Sequence, residues 1–455
     1  MAASVRRVGT IRVASGPVLG LCTSGRSGPG FFTTATRSGA LPRFRSLMTP
    51  SPNRQAPHGL LIANLLGQLA FGLLAMTICL PSMQEWAALL GSTQAAVQLT
   101  FSGYVVAYGL LQLVYGPWSD RLGRKKVLLF GLSVAVAGSV LAALSTDMPT
   151  LIAARVLQGA GCAAGMVVGR AMVQDLFQGP ERTRVMAYVG MAMGLCPPLA
   201  TILGGQLHVR LGWQANFVFI AALGVVLFVA AWRGLPDHQP STTVQPHWLR
   251  AMVSSYAQLG REPAFILYVS ILAMTTATFY AFLGGAPIVL GSYGVGPDGI
   301  GFYIMLVPGS YIVGNYLTTH LVHRVGDRRM MWLGQWFTLG GIGLMLALAL
   351  AGLNTPLAFA LPLMLLGIGN GFLVPPALAG TVGLMPALAG SAAAVAGLMQ
   401  QLVGAVGGFA VGLFTHENAV NLGWLMTGLA LLGVVAQWLL KRVDPKPAGP
   451  VRAAR

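Results

Sequence analysis

Runs of about 20 apolar residues recur along this chain, each long enough to cross the hydrocarbon core of a bilayer as one helix. Twelve can be traced. They cover Gly59 to Pro81, Ala95 to Tyr115, Val127 to Leu144, Thr150 to Met172, Val185 to Leu207 and Phe217 to Trp232. After a polar stretch, 236–262, come Phe265 to Leu290, Phe302 to Val322, Met331 to Leu353, Leu357 to Val382, Ser391 to Phe414 and Leu422 to Leu440. The pattern predicts an all-α integral membrane protein with twelve transmembrane helices. Only 9% of residues are charged, against roughly 25% in a soluble domain.

The few charges are not scattered. Alternate connections hold Arg121, Arg124, Lys125, Lys126, Arg182, Arg184, Arg233, Arg250, Arg261, Arg324, Arg328 and Arg329, while the other set holds Arg210 alone. Cytoplasmic connections retain Lys and Arg, so both termini are expected in the cytoplasm. The net charge of +17 is then topology. A nucleic-acid partner is excluded, because the bases lie between apolar runs and not on one exposed face. Cys22, Cys79, Cys162 and Cys196 have neither close pairing nor metal-ligand spacing, so no disulfide, metal or other cofactor is expected.

Residues 1–58 form a basic N-terminal leader. Up to Leu47 it has seven arginines and no acid. We read it as a translated leader upstream of a start at Met48, and a mitochondrial transit peptide is the alternative. The first reading implies the cell inner membrane, the second the mitochondrial inner membrane. The remaining expected divisions are an N-terminal bundle at 59–235, a cytoplasmic linker at 236–262, a C-terminal bundle at 263–441 and a cytoplasmic tail at 442–455.

The stretch YGPWSDRLGRKKVLLFGL, Tyr115 to Leu132, gathers five charges between the second and third runs. A stop-transfer role would explain Arg124, Lys125 and Lys126 but not Asp120, Gly116 or Gly123. Gly116 suits close approach of another helix, Gly123 a tight turn with positive φ, and Asp120 a contact with a helix N-terminus. The string resembles the signature loop of the major facilitator superfamily, Gly-x-x-x-Asp-Arg-x-Gly-Arg-(Arg/Lys)-(Arg/Lys), with Gly116, Asp120, Arg121, Gly123, Arg124, Lys125 and Lys126 filling every position. HRVGDRRM repeats the spacing between the eighth and ninth runs, with Arg324, Gly326, Arg328 and Arg329. The resemblance implies two six-helix bundles in parallel repeat. It also implies a latch in which Asp120 meets the N-terminus of the eleventh helix near Gly390 and Ser391 in the outward-open state.

Other stretches resemble the bicyclomycin and chloramphenicol resistance family of multidrug exporters. In the fourth run, RVLQGAGCAAGMVVGRAMVQDLF carries Arg155, Gln158, Gly159, Arg170 and Asp175. AAVQLTFSGYVVAYGLLQLVYGPWSDRLGR and FYAFLGGAPIVL are similar to that family's second and seventh helices. The resemblance covers Gly59 to Leu440 and implies proton-coupled antiport of drugs or other small amphipathic molecules. Two departures matter. MTICLP, Met76 to Pro81, has Thr77 where the family carries an acid, and none of the eleven carboxylates falls in the middle of a run. In GLCPPLATILGG, Pro197, Gly204 and Gly205 match the export-type helix 5 motif, but Thr201 replaces its second Pro.

Arg155 stands inside the fourth run, where a bare cation needs a partner. Either it snorkels to the outer surface, or it faces a central cavity, hydrogen-bonded near Thr77 and to Gln158. Asn64, Gln68, Tyr104, Gln112, Tyr280, Asn315, Asn370, Gln400 and Gln401 are the other polar groups expected inside the bundle. Tyr280, Asn370 and Gln400 lead as substrate contacts, because the superfamily's helices 7, 10 and 11 commonly line its cavity. The expected partners are a small-molecule substrate, protons and lipid, and the expected state is a monomer. Export or uptake of an amino acid or organic anion, not necessarily coupled to protons, is the rival within transport. An intramembrane enzyme would place His, Asp or Ser constellations at depth, and a sensor would carry a large extramembrane domain. Neither pattern is present, nor is a phosphate-binding GxxxxGK[ST] loop.

Overall fold

The structure, a computed structural model, describes residues 58–237, 248–385 and 388–443. The leader, residues 238–247 of the linker and the tail beyond 443 lie outside the described residues, and so do the readings attached to them.

Among the described residues, twelve helical spans are long and apolar enough to cross a membrane. The first is α1 (His58–Thr77), a 3-10 turn (Leu80–Ser82) and a short α2 (Met83–Leu89). Then follow α3 (Gln94–Leu122), α4 (Arg124–Ala143), α5 (Met148–Leu176), α6 (Gly179–Leu211) and α7 (Gln214–Gly234). The second set comprises α9 (Pro263–Ser292), the paired α10 (Pro297–Ile304) and α11 (Leu306–Val325), α12 (Asp327–Leu350), α13 (Pro356–Gly383), α14 (Ala389–Ala410) and α15 (Ala419–Val443).

Several helices outrun the apolar segments that announced them, because a helix ends at its cap and not where hydrophobicity ends. The α5 helix starts at Met148, before Thr150, because the Asp147 side chain accepts the Thr150 amide at 2.9 Å and satisfies an orphan donor of the first turn. Similarly, α3 continues through Asp120 and Arg121 to Gly123, whose φ of 97° ends it and starts α4 at once. Gly326, with φ 84° and ψ 150°, makes the same one-residue junction between α11 and α12. Both are conformations that side chains rarely adopt. The linker also holds a helix that the polar composition concealed, α8 (Trp248–Leu259). Its Leu259 is buried in a cluster with Ala392 and Ala396 of α14.

Within each half the tightest contacts fall on glycine faces. Gly138 and Gly161 bring α4 and α5 so close that a methyl on either would lie within 3 Å of the other backbone, and Gly334 and Gly341 do the same for α12 and α13. Membrane helices have no hydrophobic drive to associate, so close backbone approach supplies the packing energy. The repeat seen in the loops thus extends to the same pair of helices in both halves.

The halves meet at α3 with α14, at α6 with α10 and α11, and at the 3-10 turn and α2 with α9. These contacts are concentrated on one face, opposite the arginine-rich connections. There, methyls at Gly412 and Gly301 would strike the backbones of Ala95 and Ile202 respectively. Gln98 donates to the Gly284 carbonyl at 2.9 Å, linking α3 to α9. Along α3 the last tight crossing is Gly109 against Gln401. Toward the arginine-rich face, Gly390 and Gly397 of α14 and Gly190 of α6 meet nothing within 4 Å. The glycine-tight contacts between the halves therefore gather on the face opposite the arginine-rich one.

Candidate functional site

The arginine-rich loop is organised by Arg124. Its guanidinium pairs with Asp120 at 2.5 Å and Asp175 at 3.0 Å, and donates to Ser119 Oγ at 2.7 Å. Lys125 reaches Asp237 at 3.7 Å. The loop thus binds the ends of α3, α4, α5 and α7 to one another. Gly116 packs against Val167 of α5. In this conformation Asp120 is folded back on Arg124, and its side chain is 54% exposed. Exposed pairs of this kind contribute about 1 kcal/mol or less, so Asp120 is held lightly.

Arg155 is wholly buried and does not snorkel. One terminal nitrogen donates to the Ala75 carbonyl at 2.9 Å and to Gln158 Oε1, and the other to the Met76 carbonyl at 3.4 Å. The guanidinium lies 4.4 Å from the Tyr104 ring centroid, a cation–π contact between two fully buried side chains. Gln158 passes the network on to Ser139 of α4 at 2.8 Å, and Tyr104 donates to the Gly72 carbonyl at 2.7 Å. Thr77, buried nearby, turns its hydroxyl to Leu73 of its own helix. Among the described residues no carboxylate pairs with Arg155. The group therefore joins α1, α3, α4 and α5 at the heart of the first bundle, and none of Thr77, Arg155 and Gln158 is exposed to a cavity in this conformation.

A second polar set lies where the halves cross. Tyr280 of α9 donates to Gln401 Oε1 at 2.8 Å, and its ring packs edge-on against Phe101 of α3 with centroids 5.5 Å apart. One turn away Thr276 donates to Gln400 Oε1 at 3.3 Å. The Tyr108 hydroxyl and the Asn370 carbonyl oxygen are buried without partners, and the Tyr108 ring stacks on Tyr104. Tyr108 carried no separate signal in an aromatic-rich run. By contrast, Asn64 and Gln68 are engaged with the Ala230 and Leu227 carbonyls of α7, at 2.8 and 3.0 Å. They join helices.

The two helix 5 glycines have separate duties. A methyl at Gly204 would strike the Ile78 carbonyl at the end of the first span, whereas one at Gly205 would strike the Pro297 carbonyl at the start of α10, in the other half. Pro197 and Pro198 lie inside α6 without ending it. Thr201, the departure from the expected motif, is buried and donates to the Pro198 carbonyl at 2.9 Å.

Comparison with known proteins agrees with this geometry. The profile of the Major Facilitator Superfamily matches residues 60–408 and 271–455. Multidrug resistance protein D of Escherichia coli is 27% identical over 82% of this chain and 93% of its own length. The chloramphenicol resistance protein of Pseudomonas aeruginosa is 28% identical over 76% and 82%. The bicyclomycin resistance protein homolog of Haemophilus influenzae is 25% identical over 84% and 97%. Among solved structures, a bacterial homolog of the human lysosomal transporter Spinster, in an inward-facing and unoccupied conformation, superposes with a TM-score of 0.72 at 15% identity, covering 86% of this chain and 98% of that one. A D-xylose–proton symporter superposes with a TM-score of 0.68 at 14% identity, covering 86% and 98%. Twelve spans in two matching bundles, a complete signature loop and a profile match along nearly the whole membrane domain lead to one conclusion: the chain belongs to the major facilitator superfamily, as a transporter related to its drug-resistance members and not an enzyme.

Proposed function

We propose that this transporter exports small amphipathic molecules, including drugs, across the bacterial inner membrane by alternating access in exchange for protons, and that it works as a monomer with both termini in the cytoplasm. The observation that carries this reading is the asymmetry of closure. Glycine-tight contacts hold α3 to α14 and α6 to α10 on one face, whereas Gly390 and Gly397 of α14 and Gly190 of α6, toward the arginine-rich face, meet nothing within 4 Å. With that face cytoplasmic, the conformation is the one that loads a substrate for export. The groups at the crossing, Tyr280, Gln400, Gln401 and Tyr108, are aromatic or amide and carry no fixed charge. Such a lining suits a neutral amphipathic ligand. The names of the drug-resistance relatives point the same way.

The cycle follows from the parts. Rocking the bundles would break the seals at Gly205 and Gly412 and bring Asp120 to the positive N-terminus of α14, where a carboxylate gains about 0.3–1 kcal/mol. Gly116, Asp120, Arg121, Gly123 and Arg124 are proposed as this latch, and Pro197, Gly204 and Gly205 as the outer seal. Arg155 favours a second reading, transport of an organic anion or amino acid, because it has no carboxylate partner among the described residues. Susceptibility to chloramphenicol, in cells with the protein and without it, tests the first reading. Protection is expected from the wild type and its loss from Tyr280→Ala at equal membrane abundance. No protection by abundant wild-type protein against chloramphenicol or a panel of other amphipathic antibiotics would overturn it.

A further inference from the structure

At the sealed outer end, four polar side chains from four elements form a network that the cycle above does not use. His208 of α6 faces Glu85 of α2 through Nε2 at 3.0 Å, and Ser82 of the 3-10 turn through Nδ1 at 2.9 Å. Asn216 of α7 donates to the same Ser82 oxygen at 3.0 Å. Ser82 and Asn216 are wholly buried, the His208 side chain is 9% exposed, and Glu85, at 42%, opens to the outer water. We infer that Glu85 and His208 form a proton-binding site, open to the outer solution, whose occupancy biases the outer seal toward closure. The inference rests on the alternating-access reading given above.

The hydrogen-bond pattern defines the proton's place. With His208 neutral, Nε2–H donates to the Glu85 carboxylate, and Nδ1 accepts from the Ser82 hydroxyl while Asn216 donates to Ser82. A proton taken from outer water adds at Nδ1. Ser82 then accepts from both His208 and Asn216, and its own hydrogen turns away. The site passes from a net charge of −1 to a neutral ion pair.

That change acts on the seal because of where the pair sits. The 3-10 turn carrying Ser82 packs against α9 and α10. Gly205, one turn before His208 on the same helix, abuts Pro297 and Asp298 of α10. Closing the halves thus withdraws water from the pair and brings another carboxylate, Asp298, toward it. Burying an unbalanced negative charge is disfavoured relative to a compensated pair, so the protonated form closes more readily. The other titratable or charged groups at this end are Arg210 on α6, Tyr293 just beyond α9, Tyr303 on α10, Asp147 before α5, and His416 and Glu417 between α14 and α15, with the buried Arg155 guanidinium 5.8 Å from the ring of Phe217, which follows Asn216; the outer end of α7 presents none. Glu85 and His208 lie 123 residues apart, so nothing local in the sequence announced the pairing.

Spin labels at Leu144→Cys and Leu353→Cys, on exposed outer turns of the two halves, would report opening in full-length protein reconstituted in lipid nanodiscs. On acidifying from about pH 8 to about pH 5.5, the closed-to-open ratio is expected to rise at least about fivefold, the lower range for linked sites. His208→Gln should keep the high-pH distribution throughout. Glu85→Gln, neutral without a proton, should stay closed at both pH values. Opposite outcomes for two size-matched variants cannot arise from common misfolding. An acid response retained in His208→Gln, or absent from the wild type, would overturn the inference. Wild-type protein that transports no drug yet keeps the response would count against the export reading alone.

Discussion

Arg155 replaces a question about charge with one about geometry. In a chain without a mid-membrane carboxylate, its charge is accommodated by two carbonyls at the end of α1, one amide and one aromatic face. Interhelical hydrogen bonds in bilayers contribute about 0.6–2 kcal/mol each, so loss of the two to α1 in Arg155→Met should lower stability by about 1–4 kcal/mol. Arg155→Lys should recover only part, since an ammonium lacks the planar fork that serves several acceptors. Thermal unfolding of the purified protein checks both, and a wild-type midpoint in Arg155→Met would contradict the bracing role. His416, just beyond α14, is the other residue whose chemistry follows from placement. Burial lowers its pKa below the ordinary 6.5, while its hydrogen bond to the Val411 carbonyl works the other way. The unfolded chain therefore binds the extra proton first, and stability falls as pH drops below about 6.5. The unfolding midpoint of the wild type should fall with acid more steeply than that of His416→Gln, and equal slopes would count against this.

At the level of elements, α6 is where composition and contact diverge most. Its Gly204 and Gly205 could have been packing residues of any kind, yet each faces a different half of the molecule. Gly205→Val should disrupt the contact with α10 and raise labelling of a cysteine placed at Asp298, whereas Gly190→Ala, with nothing near it, should leave labelling unchanged. Equal labelling of wild type and Gly205→Val would remove Gly205 from the seal. The α8 helix makes a related point. Its polar linker composition concealed an amphipathic segment, and only the packing of Leu259 beside Ala392 and Ala396 gives it a position.

For the whole molecule, the latch is the part with most at stake. Asp120 is lightly held by Arg124 in this conformation and is expected to bear on α14 only after the bundles rock. Asp120→Asn should lower transport while leaving membrane abundance intact, and normal transport would rule the latch out. Labels beside the two glycine junctions, Gly123 and Gly326, should report the same cytoplasmic face, and opposite faces would break the topology. The twelve spans, the face on which the basic loops gather and the repeat of the signature loop were legible because each depends on residues adjacent in the chain: apolar length, charge placement and a positive-φ glycine. Which polar side chains meet was not legible. Asn64 and Gln68 read like Gln400 and Gln401 in sequence, yet the first pair joins α1 to α7 and the second lies where the halves cross. Rotation of each helix about its axis separates these cases, and that rotation is chosen by close glycine contacts between segments far apart in sequence. The chain by itself determined a membrane-spanning, two-fold repeated, basic-faced helix bundle. Tertiary packing alone decided that Arg155 is enclosed, that His208 meets Glu85, and that the tight contacts between the halves gather at one end.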